Sequence, residues 1–307
     1  MPRGKPNLGF RKTEAWSQRT GQPKVDYSAP IQKPAIPIFN NAFVTPVIPS
    51  DPTENLTDEQ VLERINGRFE VLDIMIDEML AGEADAIVVS GPAGCGKSHL
   101  VESKLSSWNP DGDRYIFVKG TVRPTGLFST LYDYREKGNV VVFDDADSVF
   151  DDIQSLNFLK AVCDTSKKRI VSYLSQVDLT SEKTGEAVPK SFEFQGSVIF
   201  ISNYDFDSMI SGRSKLSPHL QALMSRSHYI DLSMHSTRGK FIRIKDVVTK
   251  GMLSGLNKDQ IKEVLDFIYE NKDKMRELSL RSALKIGGLR KSKKNWQHLA
   301  TVTCCKN

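Results

Sequence analysis

Residues 86–98 read AIVVSGPAGCGKS, and this stretch decides the fold. AIVVS is a short apolar, β-branched run, which predicts a buried strand over residues 86–90. GPAGCGKS at 91–98 satisfies G-x-x-x-x-G-K-[ST], and the periodic HLVESKLSSW that follows predicts a helix. Gly91, Gly94 and Gly96 let the backbone between strand and helix curl so that its N–H groups converge on an anion, and the helix N-terminus adds its positive end. Pro92, Ala93 and Cys95 occupy the intervening positions, and His99 follows the loop. Lys97 is expected to place its ammonium on the β- and γ-phosphates of ATP, and Ser98 its hydroxyl on Mg²⁺. Cys95 reads as a small side chain filling the loop, because no resolving cysteine is evident near it.

Outward from this stretch, the apolar runs RYIFV, NVVVF, SVIFIS and HYIDL are separated by the helical patterns GLFSTLYDYREKG and IQSLNFLKAV. Strands alternating with helices predict an α/β, doubly wound parallel sheet flanked by helices. The run NVVVFDDAD ends its strand in two carboxylates, and ligands collect at such strand ends. Asp144 is expected to enter the Mg²⁺ shell, and Asp145 to polarise the attacking water as general base. Asp147, Asp151 and Asp152 read as a solvated acidic loop.

Order is expected to begin at NLTDEQ, where Thr57 and Gln60 have capping-box spacing. Val61, Ile65, Phe69, Leu72, Ile76 and Leu80 then form one apolar stripe. Before it, residues 1–55 hold nine of the fourteen prolines and show neither helical nor strand periodicity, so they read as an extended or disordered arm. Residues 56–232 are expected to form the nucleotide-binding core. Residues 233–307, with GLNKDQIKEVLDFIYEN and LSLRSALKIGGLR, are expected to form a helical lid and a C-terminal tail. The 307 residues are 39% hydrophobic and 26% charged, with a net charge of +4, as in soluble globular proteins of no particular partner. Cys95, Cys163, Cys304 and Cys305 include no C-x-x-C pair, which argues against a disulfide scaffold or a zinc site. No signal sequence or membrane span is evident, so the expected location is cytoplasmic.

GPAGCGKS, VVVFDDAD, VIFISN and ALMSRSHYIDL, in that order, resemble the four core motifs of AAA+ ATPases. The resemblance spans roughly residues 57–290. It implies an ATP hydrolase that works as a homo-oligomeric ring or arc. It also implies that Asn203 is the sensor 1 residue orienting the lytic water, and that Arg226 reaches the γ-phosphate of a neighbouring subunit as an arginine finger. Arg213, in SGRSK, is the competing candidate. LSLRSALKI resembles the sensor 2 motif, so Arg281 would contact the γ-phosphate from the same chain. One departure stands out: the family has Asp-Glu at the acidic motif, where this chain has Asp144-Asp145, so slow or partner-dependent turnover is implied. The phrases ERINGRFEVLDIMIDEMLAGEADAIVVSGPAGCGKS and SFEFQGSVIFISNYD are also similar to uncharacterised ATPases of tailed bacteriophages.

RIVSYLSQVDLTSEKTGEAVPKSFEFQG reads as a hairpin, an insertion that family members often use at a central pore. The loop KGTVRPTG carries Lys119 and Arg123 where unfoldases carry an aromatic grip, and KIGGLRKSKK adds Arg290, Lys291, Lys293 and Lys294 without an acid. These cations favour nucleic acid as partner. Three readings follow: a motor or switch remodelling DNA or a DNA-bound complex; a protein-remodelling chaperone that uses the arm as a tether; and a nucleotide-gated assembly protein with little turnover. A small-molecule kinase is a weaker fourth.

Overall fold

The computed structural model describes residues 55–306, apart from Val177, Arg213 and residues 292–294. The arm expected over 1–55 therefore lies almost wholly outside the described residues. The chain opens with helix α1 (Asp58–Ala81). Thr57 and Gln60 cap it reciprocally: the Gln60 N–H donates to the Thr57 hydroxyl and the Thr57 N–H to Gln60 Oε1. The stripe faces inward as expected from Val61 to Ile76, and Met79 rather than Leu80 completes it.

Five parallel strands follow: β1 (Ala86–Ser90), β2 (Tyr115–Lys119), β3 (Val140–Asp144), and, after two short hairpin ladders, β8 (Ser197–Ser202) and β9 (His228–Asp231). They lie in the order β2-β3-β8-β1-β9. Helices α2 (Lys97–Trp108), α3 (Pro124–Asp133), α4 (Ser148–Asp151) and α5 (Ile153–Val162) connect the first strands, and α6 (Phe206–Ser211) and α7 (Ser217–Met224) lead to β9.

Because successive strand residues point to opposite faces, alternate residues of the same strands enter two cores. Val88, Val141, Phe143, Val198 and Phe200 pack with α3 and α5 on one face. Ile87, Val89, Val140, Val142, Ile199 and Ile201 pack with α1 and α2 on the other. Burial on both faces is why these strands read as unbroken apolar runs. The result is the expected α/β architecture, a parallel five-stranded sheet flanked by helices on both faces.

The hairpin forms as β4 (Ile170–Ser172) against β7 (Ser191–Glu193), extended by β5 (Leu179–Thr180) against β6 (Ala187–Val188). Its base is anchored. Phe192 packs on Phe128 and Tyr132, and the Arg169 guanidinium donates to the carbonyls of Val162 and Gly196 while pairing with Asp85.

From Ser233 onward the chain is helical: α8 (Thr237–Val247), a π-turn at Val248–Met252, α9 (Lys258–Asn271), α10 (Leu280–Lys291) and α11 (Trp296–Cys304). These helices share a third core, with Val264, Ile268, Ala283, Ile286, Trp296 and Ala300. Helix α11 corrects the expected tail. Trp296, Ala300 and Cys304 recur four residues apart and are buried, while an isolated bridge joins Cys305 to Met275.

Candidate functional site

Lys97, Ser98, Asp144, Asp145 and Asn203 meet at the carboxyl ends of β1, β3 and β8. Gly94 (φ +66°) and Gly96 (φ +110°) take left-handed backbone that side chains with a Cβ rarely adopt, and so curl the loop back over the start of α2. Lys97 is buried inside that curl. Its ammonium donates to the carbonyls of Gly91 (2.6 Å) and Pro92 (3.1 Å) and to Asn203 Oδ1 (2.9 Å). Burial lowers its pKa, while Cys95, Asp145 and Asp144 raise it. The Cys95 thiol is pushed up, chiefly by burial, which keeps it protonated and unreactive.

Asn203, just past β8, passes the contact on: its amide donates to Asp145 Oδ1 at 2.8 Å. Lys97, Asn203 and Asp145 thus form one hydrogen-bonded chain. Asp145 itself has φ +53°, an unusual backbone for a residue with a Cβ, and its N–H is held by the carbonyl of Ile201 at 3.2 Å. Beside this chain the Ser98 hydroxyl donates to Asp144 Oδ1 at 2.7 Å. A hydroxyl and a buried carboxylate are hard oxygen donors, the kind Mg²⁺ takes when phosphates and water complete its shell.

Asp147 does not belong to a solvated loop. Ser202 Oγ donates to its Oδ1 at 2.6 Å, and its pKa is raised, first by burial, with Asp145 and Asp151 adding to the rise.

The lid closes the site from above. The Leu280 N–H donates to the Gly94 carbonyl at 2.9 Å, and a Cβ on Gly94 would fall 2.9 Å from Ser279 Cβ. Gly94, Gly96, Lys97, Ser98, His99, Asp145, Asn203 and Arg281 line one cleft of about 500 Å³, with Lys250, Leu280 and Leu284 on the lid side. Pro92 and Cys95 lie behind the loop, against Arg243, Ser279 and Leu280. Sequence reasoning did not single out Arg243, which stacks over Phe69 at 3.9 Å and donates to Asn66. No motif marks it. A larger groove of about 960 Å³ between α8 and α9 is lined by Phe241, Lys245, Lys258 and Tyr269 and holds neither the glycine-rich loop nor the acidic pair.

Other expected residues are not brought to the cleft. Arg226 does not line it; its guanidinium donates to the Ala222 carbonyl (2.7 Å) and lies 3.6 Å from Asp164. Arg213 lies outside the described residues, as do Lys293 and Lys294. Two of the basic residues have acidic partners in the fold. Lys119 pairs with Asp144 at 3.1 Å, and Arg290 is held by Glu263 at 2.6 Å, an acid on α9 too distant in sequence to be anticipated.

Comparison with known proteins gives a relative and a set of folds. No protein-family model matches the chain. Solved structures aligning with it include a mutant of Thermotoga maritima RuvB, with TM-score 0.46 and 11% identity over 78% of this chain and 69% of that one. Another is Hsp104 with ATPγS and FITC casein, with TM-score 0.43 and 15% identity over 81% of this chain and 50% of that one. NtrX from Brucella abortus in complex with ADP aligns with TM-score 0.40 and 15% identity over 81% and 56%. Among the described residues, no helix is long and apolar enough to cross a membrane. In sequence, the chain is 34% identical over 248 residues to the uncharacterized 36.7 kDa protein of the nrdC-mobD intergenic region of Enterobacteria phage T4, covering 79% of this chain and 75% of that protein. The chain therefore belongs to the family of that phage T4 protein.

Proposed function

We propose that this protein binds ATP·Mg²⁺ in the cleft between the phosphate loop and the lid and hydrolyses it as a homo-oligomer. The supporting observation is the chain from Lys97 through Asn203 to Asp145, set beside Ser98 and Asp144 at the carboxyl ends of the inner strands. In this reading Gly91–Ser98 cradle the phosphates through backbone N–H groups, and Lys97 turns its ammonium from loop carbonyls to the β- and γ-phosphates. Ser98 and Asp144 hold Mg²⁺, which would neutralise phosphate charge. Asp145 accepts the proton of the attacking water, and Asn203 fixes the carboxylate that does so. Arg281 acts on the γ-phosphate from the lid, and Arg226 on that of a neighbouring subunit.

The work performed is remodelling of DNA or of a DNA-bound complex, in the host cytoplasm if the chain is phage-encoded. Support comes from exposed Arg123 in the loop after β2 and from the hairpin anchored on α3. A protein-remodelling role, with the N-terminal arm as tether, competes with this reading.

A second reading, nucleotide-gated assembly with little turnover, is favoured by the short side chain of Asp145 and its engagement by Asn203.

Phosphate release from ATP separates these readings. It is measured against protein concentration, with single-stranded DNA, duplex DNA and no DNA, for the wild type, Lys97→Ala and Arg226→Ala. Specific activity that rises with concentration and with DNA, and is lost in both variants, is the expected result. Turnover by the wild type no faster than Lys97→Ala under every condition would rule out the motor and leave the gated assembly.

A further inference from the structure

Lys119 ends β2, and the parallel register sets it directly opposite Asp144. The Asp144 side chain is 5% exposed, and both of its oxygens are engaged. Oδ1 accepts the Ser98 hydroxyl at 2.7 Å, and Oδ2 lies 3.1 Å from the Lys119 ammonium. A buried carboxylate is costly unless its charge is balanced, and Lys119 supplies that balance from within the chain. The lysine side chain is 57% exposed, so its four-carbon stem can swing into solvent. It also leads directly into the loop that carries Arg123.

Resting on the ATP·Mg²⁺ reading, we propose that Lys119 is a built-in counter-cation of the metal carboxylate. It competes with Mg²⁺ for Asp144 and yields when the metal nucleotide binds. Two consequences follow. Lys119 sets how much Mg²⁺ the site requires, because a metal must displace an ion pair rather than meet a bare carboxylate. Its release moves one positive charge from the sheet edge to the loop after β2, so that occupancy of the cleft changes the charge offered to a polyanionic partner. In this account the lysine read from sequence as a nucleic-acid contact serves the metal site first and the partner second.

The test is binding of a fluorescent ATP analogue to the full chain as Mg²⁺ is titrated, for the wild type, Lys119→Met, Lys119→Arg and Lys97→Ala. Lys119→Met is expected to reach half-maximal binding at about fivefold less Mg²⁺, the worth of one partly exposed ion pair. Lys119→Arg should stay near the wild type, and analogue affinity at saturating Mg²⁺ should be unchanged by either. An unaltered Mg²⁺ requirement in Lys119→Met overturns the proposal. So does a raised one, which would make Lys119 a phosphate ligand. If the wild type binds the analogue no better than Lys97→Ala, the ATP reading itself falls and takes this inference with it.

Discussion

The glycine-rich loop and the lid meet at Gly94, yet different forces hold them in place. The loop hangs from the centre of the sheet: β1 is buried along its whole length and paired on both sides, and the loop's lysine is tied to the end of β8. The lid is a separate helical core that reaches the loop through a few contacts, chiefly the Leu280 N–H on the Gly94 carbonyl and Ser279 against Gly94. Changes on the sheet side should therefore abolish the site's chemistry, and changes on the lid side should retune it. The cleft thus has one wall, the fixed one, built on the sheet and one built on a separate helical core.

The largest effect expected is on the fixed wall. Lys97→Ala removes the ammonium that the proposed function assigns to the phosphates and should weaken ATP binding about 100-fold by calorimetry. Near-normal affinity would mean that the lid, not the loop, carries the binding. Next is the seam itself. Gly94→Val combines a left-handed backbone with a Cβ 2.9 Å from Ser279, and should cost about 1–3 kcal/mol in urea unfolding. Gly67→Val is the comparison, since a Cβ there meets nothing within 4 Å. Equal losses in the two variants would deny the seam its tight contact.

Asp147 gives a smaller, pH-dependent effect on the sheet side. Burial raises its carboxyl above the ordinary 3.8, so the native state holds the proton more readily than the unfolded chain. The penalty of the buried charge is then full above the raised pKa and is relieved as pH falls through it towards 3.8. Asp147→Asn should thus be more stable than wild type at pH 7, by under about 1 kcal/mol after solvent screening, with the gain shrinking as pH falls. A gain that grows on acidification would contradict this assignment.

The smallest effect concerns a thiol away from the cleft. Burial pushes Cys163 up to about 12, so it should resist iodoacetamide at pH 8 until urea unfolds the chain. Rapid labelling of the native protein would show that the face beneath α5 opens readily.

The fixed wall was also the legible one. The loop, both acidic residues and Asn203 sit where short-range signals put them, because a buried parallel strand is apolar throughout and its end is marked by the first polar residues after it. The hairpin was legible from alternation around a polar centre. What stayed hidden depends on distance in sequence. Lys119 finds Asp144 only through strand register, Arg290 finds Glu263 only through the packing of two lid helices, and Arg243 reaches Phe69 and Asn66 from the far end of the core. Helix α11 escaped because WQHLATVTC is rich in β-branched residues, whose helix propensity is low, and the buried contacts of Trp296 and Ala300 override it.

The central claim is that Asp145, fixed by Asn203 in the chain that starts at Lys97, performs hydrolysis rather than merely sensing nucleotide. Single-turnover hydrolysis of ATP by the wild type and Asp145→Asn, with nucleotide affinity measured on the same samples, tests it most directly. The account predicts unchanged affinity and a chemical step slower by about 100-fold or more in the variant. Equal rates at equal affinity would contradict it and would make the acidic pair a gate rather than a catalyst.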